Sequence, residues 1–110
     1  MNKKTQMLKG TLEGCILTII YKKETYGYEI ISTLKKYGFD NASEGTMYPL
    51  LLRLEKSGFL TATIKDSGVG AKRKYYRLTE DGINELNDFI KNWNELKMNI
   101  DNIISSVEID

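Results

Sequence analysis

Apolar residues along this chain change their spacing twice, and each change marks a new kind of element. Leu8, Leu12, Cys15, Ile16, Ile19 and Ile20 recur at intervals that fit one face of a helix, which predicts a helix from Met7 to about Lys22. Gly10 and Gly14 fall on another face of it, where missing side chains predict a close neighbour. The polar break KKETYG follows. Thr25 is the expected cap of a second helix with core positions at Tyr26 or Gly27, Ile30, Ile31 and Leu34, ended by Gly38. In SEGTMYPLLLRLEKSG, Ser43 is the expected N-cap and Gly58 the stop, while Met47, Leu50, Leu51 and Leu54 share one buried face.

After Gly58 the period falls from that of a helix to that of a strand. Leu60, Ala62 and Ile64 alternate with Thr61, Thr63 and Lys65. Beyond the turn DSGVGAK the alternation resumes, with Lys74, Tyr76 and Leu78 on one side and Arg73, Tyr75 and Arg77 on the other. A two-stranded hairpin is the prediction. Gly68 and Gly70 read as its turn, because no helix follows this G-x-G as a phosphate-binding loop requires.

Thr79, with Glu80 and Asp81 behind it, predicts the capped start of a last helix. Ile83, Leu86, Ile90, Trp93, Lys97, Ile100, Ile104 and Val107 then step by three and four, widened by Phe89, Leu96 and Ile103. A helix of about 28 residues reaches about 42 Å. The residues before it can form a globule with a radius of gyration of only about 12 Å. The overhang predicts a second copy packed against it, with Leu86, Ile90, Trp93, Ile100 and Ile104 along the seam and Lys97 as its polar break. A monomer with a frayed tail is the alternative. The division expected is residues 1–79 as one domain and 80–110 as a dimerisation helix.

Three helices and then a basic hairpin is the order of a winged helix-turn-helix, mainly α with a small β-hairpin. In that arrangement the third helix enters the major groove and the wing follows the backbone or minor groove. Pro49 lies inside the third helix, where proline costs roughly 3 kcal/mol. Its fixed φ shapes a docking face in one reading and makes only a structural kink in the other. Gly45 would let a phosphate approach, and Ser43, Thr46 and Tyr48 offer hydroxyls.

Composition narrows the function. The chain has 110 residues, no histidine and one cysteine. Ser-His and Cys-His catalysis, histidine-ligated metals and an internal disulfide are thereby excluded, and a reducing cytoplasm is the expected home. No metal, cofactor or membrane span is expected. Net charge is +1, yet residues 53–77 hold seven Lys or Arg against two Asp or Glu, and residues 78–110 hold two against eight. A cationic middle and an acidic tail predict one anion-binding surface.

The blocks YGYEI, SEGTMYPLLLRLEKSGFL and RKYYRLTEDG resemble the signature of the PadR family of bacterial transcriptional regulators, in order from about Leu8 to Leu86. The usual third-helix block is S-E-G-T-L-Y-P-L-L-x-R-L-E, and this chain departs from it at Met47. The resemblance implies a homodimeric repressor that binds a double-stranded operator. Its DNA contacts would map onto Tyr28, Ser43, Gly45, Thr46, Tyr48 and Pro49, with Arg53, Lys72 and Arg73 as further phosphate partners. DSGVGAKRK departs from the common G-G-R-x-R-K, and Lys72 would supply a point charge where arginine supplies a fork. Trp93 is placed similarly to the tryptophan of the family's multidrug-sensing branch, where two such rings sandwich a flat aromatic drug. Met7, Gly10 and Gly14 would line the same cavity, and the effector implied is a small aromatic or hydrophobic molecule. A packing anchor is the rival reading of Trp93. Cys15, on the buried face of the first helix, reads as an inert core thiol. The competing function is a winged-helix protein-interaction module without DNA, which leaves the cationic hairpin unexplained; an enzyme is a distant third.

Overall fold

In a computed structural model of the chain, residues 10–68 and 70–107 are described. Helix α1 spans Leu12–Lys22 and strand β1 Thr25–Tyr26. Helices α2 (Gly27–Lys36) and α3 (Glu44–Lys56) follow, then strands β2 (Leu60–Asp66) and β3 (Lys72–Leu78), and finally helix α4 (Glu80–Ser105). This is a winged helix-turn-helix with a long C-terminal helix.

The apolar faces meet as their periods require. Ile16, Leu17 and Ile20 of α1, Ile30, Ile31 and Leu34 of α2, and Met47, Leu51 and Leu54 of α3 are all buried. Leu60, Tyr76 and Leu86 close this core from the sheet and from α4. Thr79 caps α4 as expected, its hydroxyl accepting the Gly82 N–H at 3.0 Å.

Five expectations need correction. Helix α1 starts at Leu12, because Gly10 takes a left-handed turn (φ +93°) and breaks the helix there; Met7 and Leu8 lie outside the described residues. Among the described residues nothing lies within 4 Å of a Cβ on Gly10, and only Gly14 shows the predicted close neighbour: a Cβ there would stand 2.4 Å from the Phe89 ring. Thr25 is not a helix cap. It is a buried strand residue whose hydroxyl donates to Glu29 Oε1 at 2.6 Å, and Tyr26 occupies the N-cap position of α2. Strand β1 pairs antiparallel with β3 (Thr25 opposite Tyr76, Tyr26 opposite Tyr75), so the hairpin becomes a three-stranded sheet of order β1-β3-β2.

The last correction concerns the apolar stripe of α4. Leu86, expected at a dimer seam, is 4% exposed within its own chain. Phe89 is half covered by the same core. Beyond it the stripe is bare: Ile90, Trp93, Ile100 and Ile104 are all more than 40% exposed. The molecule is accordingly elongated, 58 × 29 × 20 Å.

One contact brings the first turn of α4 directly against backbone. A Cβ on Gly82 would lie 2.1 Å from the Phe59 carbonyl oxygen, so only glycine lets the first turn of α4 approach this backbone. Gly82→Ala should therefore lower unfolding stability in urea by about 3 kcal/mol, the upper end of the usual overpacking cost. A loss below about 0.5 kcal/mol would mean the joint accommodates a side chain.

Candidate nucleic-acid interface

Helix α3 buries Met47, Leu51 and Leu54 and turns its other face outward. Its first turn is closed by a capping box in which Thr46 takes the position usually held by Glu or Gln. The Ser43 N–H donates to Thr46 Oγ1 at 3.2 Å, and the Thr46 hydroxyl donates to the Ser43 carbonyl at 3.1 Å. Both hydroxyls remain on the surface with Gly45 between them. The helix continues unbroken through Pro49, which is exposed, and Tyr48 is 44% exposed beside it.

Tyr48 is positioned from below by a glycine that sequence reasoning treated only as a core position. A Cβ on Gly27 would come within 2.8 Å of the Tyr48 ring and hydroxyl, so the bare backbone at the start of α2 is the seat of that ring. Tyr28 follows Gly27 and is 65% exposed. Tyr28, Ser43, Gly45, Thr46, Tyr48 and Pro49 are thus all surface residues, carried by α2, α3 and the cap between them.

Gly45 differs from the other helical glycines. Gly14, Gly27 and Gly82 each face atoms closer than a Cβ tolerates, whereas a Cβ on Gly45 would meet only Ser43 Oγ, at 4.0 Å. Its φ is ordinary, and glycine inside a helix costs roughly 0.5–1 kcal/mol relative to alanine. Nothing within the described fold requires glycine at this exposed position.

The wing strands carry five cations: Lys65, Lys72, Arg73, Lys74 and Arg77. Three have carboxylate partners. Lys74 donates to Glu55 Oε1 at 2.6 Å, and this hydrogen bond raises its pKa above the ordinary lysine value. Glu24 pairs with Lys65 through one oxygen and with Arg77 through the other, the latter at 3.5 Å. Arg73 instead lies over the Tyr26 ring, 4.4 Å from its centroid, and Tyr26 in turn meets Tyr75 edge-on at 5.4 Å. Lys72 stands exposed where β3 begins. Neither Lys72 nor Arg73 has an acidic partner among the described residues.

Arg53, the remaining cation taken as a phosphate partner, forms an ion pair with Glu13 of α1. That pair ties α1 to α3 and was invisible in sequence, because the two residues are far apart along the chain. The positions matched to a ligand cavity are not brought together by the single chain. Met7 is outside the described residues, Gly10 is an exposed turn, the space over Gly14 is filled by Phe89, and Trp93 is 44% exposed on α4. A groove of about 620 Å³ does open between α1 and α2, lined by Cys15, Thr18, Ile19, Thr33 and Tyr37 among others. No group of three or more metal-ligating side chains occurs among the described residues, and no helix there is long and apolar enough to cross a membrane.

A winged helix whose third helix exposes hydroxyls and whose wing tip is cationic is the arrangement that reads DNA. Residues 16–88 match the transcriptional regulator PadR-like family. The chain belongs to that family. A PadR-like transcriptional regulator from Bacillus cereus has a similar structure, with a TM-score of 0.83 and 47% identity over 90% of this chain and 96% of the other. A Streptococcus transcriptional regulator gives 0.81 and 42% over 89% and 96%. The negative transcriptional regulator PadR of Bacillus subtilis is 35% identical over 72% of this chain and 44% of its own length. This PadR-family protein is a transcriptional regulator of the DNA-binding kind, and its relatives are not enzymes.

Cys15 of this PadR-family chain is half-buried at the groove, and burial pushes its thiol pKa upward. A raised pKa means less thiolate at a given pH, so iodoacetamide should alkylate the folded protein more slowly at pH 8 than the urea-unfolded chain. Equal rates would place the thiol in water.

Proposed function

We propose that the protein is a homodimeric repressor that binds a two-fold symmetric double-stranded operator. The α3 face and Tyr28 meet the major groove, and Lys72 and Arg73 hold phosphates beside it. Residues 1–79 read the DNA, while residues 80–110 pair the subunits. The observation that carries this reading is Gly45: a glycine with a helix penalty and no internal contact to explain it is accounted for by a phosphate backbone that must come close. Repression is supported by the name of the Bacillus subtilis relative, a negative transcriptional regulator. Pairing is supported by the uncovered stripe of Ile90, Trp93, Ile100 and Ile104, too apolar a surface for a helix meant to stay in water. A small aromatic or hydrophobic effector bound between two such helices, against Trp93, would alter the spacing of the two α3 helices and release the operator.

Gly45→Ala separates binding from folding. The variant should melt higher, gaining about 0.5–1 kcal/mol from helix propensity, yet bind operator duplex at least tenfold more weakly in a gel-shift titration. Unchanged DNA affinity in the better-folded variant would refute the α3 contact. For the pairing, an Ile100→Glu, Ile104→Glu double variant should sediment as a monomer while retaining its helical spectrum, and a flat aromatic dye should no longer quench Trp93. Dimers that persist in this variant would move the interface elsewhere.

A further inference from the structure

The fork of Glu24 between two wing cations has no evident structural need. Strand β1 is already bound to β3 by its backbone ladder, and exposed ion pairs add little to stability. Glu24 nevertheless reaches Lys65 of β2 and Arg77 of β3 at once, from the segment that precedes β1. Its side chain is 27% exposed, so the carboxylate lies close to solvent between the two cations. Lys65 lies opposite Arg73 in the strand register, so it borders the tip residues directly, while Arg77 lies farther along β3, opposite Thr61.

Attraction between cations and phosphates is blind to sequence. A regulator must find one operator among a great excess of other duplex, so each additional free cation on the wing raises both kinds of binding and favours the nonspecific kind. We propose that Glu24 is a specificity-determining residue. It withdraws Lys65 and Arg77 from phosphate contact and confines the wing's attraction for DNA to Lys72 and Arg73. The assignment rests on the reading above that the wing meets phosphates. Even if a phosphate displaces Glu24 from one cation, the carboxylate remains beside it and opposes the approach, so exchange does not restore the full charge.

The test is the salt dependence of binding to a random-sequence duplex and to an operator duplex selected from a random pool, using the full chain. Each neutralised phosphate contributes roughly 0.9 to the slope of log affinity against log salt. Glu24→Gln should steepen the random-duplex slope by up to about 1.8, tighten that binding about tenfold at low salt and lower the operator-to-random ratio. Conversely, Lys65→Gln with Arg77→Gln in the parent should leave the random-duplex slope unchanged, a readout that does not depend on how Glu24→Gln folds. A parent-like slope in Glu24→Gln, or a slope reduced by Lys65→Gln with Arg77→Gln, overturns the assignment. Lys72→Ala with Arg73→Ala supplies the control. If that variant loses slope while Glu24→Gln behaves as the parent, Glu24 alone is misassigned; if it loses none, the wing reading fails and takes the assignment with it.

Discussion

The structure depends on one backbone-to-backbone approach, that of the first turn of α4 to the Phe59 carbonyl across Gly82. Around it the end of α3, the start of β2, the end of β3 and the start of α4 are hydrogen-bonded into one joint. The Phe59 N–H donates to the Leu54 carbonyl at 3.0 Å, the Thr79 N–H to the Phe59 carbonyl at 3.1 Å, and the Thr79 hydroxyl to the Gly58 carbonyl at 2.6 Å. Backbone contacts of this kind hold orientation better than side-chain packing, because they leave no rotamer to absorb a displacement. Helix α3, the wing and the long apolar helix are therefore joined at one point through their backbones.

Charge is allocated as tightly as geometry. A chain of net charge +1 cannot rely on a general positive field to hold DNA, and most of its central cations are spoken for within the fold: Arg53 by Glu13, Lys74 by Glu55, Lys65 and Arg77 by Glu24. What remains on the wing is Lys72 and Arg73 at its tip, with Arg73 supported by the Tyr26 ring. The α3 face contributes shape and hydroxyls but no free cation beside Gly45. Under the proposed contacts, with little long-range attraction, recognition would rest on fit, to which the Gly27 seat for Tyr48 and the bare backbone of Gly45 would contribute.

The elements with a sustained period were legible in the sequence. Met47, Leu51 and Leu54, the alternation of β3, and the cap at Thr79 all lie where spacing put them, because local pattern and global packing agree there. Strand β1 was not legible: two residues are too short to show a period, and Thr25 before an apolar run looks the same as a cap. The same limit hid the ion pairs of Arg53 and Glu24, which join residues distant along the chain. The close approaches at Gly14, Gly27 and Gly82 differ from the open space at Gly45 only in three dimensions, so the sequence does not sort them, and Gly82 carried no signal there at all. Leu86 fits the exposed stripe by spacing, and only the position of the globule along α4 assigns it to the core.

The most direct measurement is amide chemical-shift mapping by NMR while a selected operator duplex is titrated into the protein. Perturbations should concentrate at Tyr28, at residues 43–49 and at Lys72 and Arg73, with residues around Ile100 and Ile104 unmoved at the lowest duplex ratios. Shifts confined to α4 or to the groove beside Cys15, with the Gly45 amide unaffected, would contradict the account.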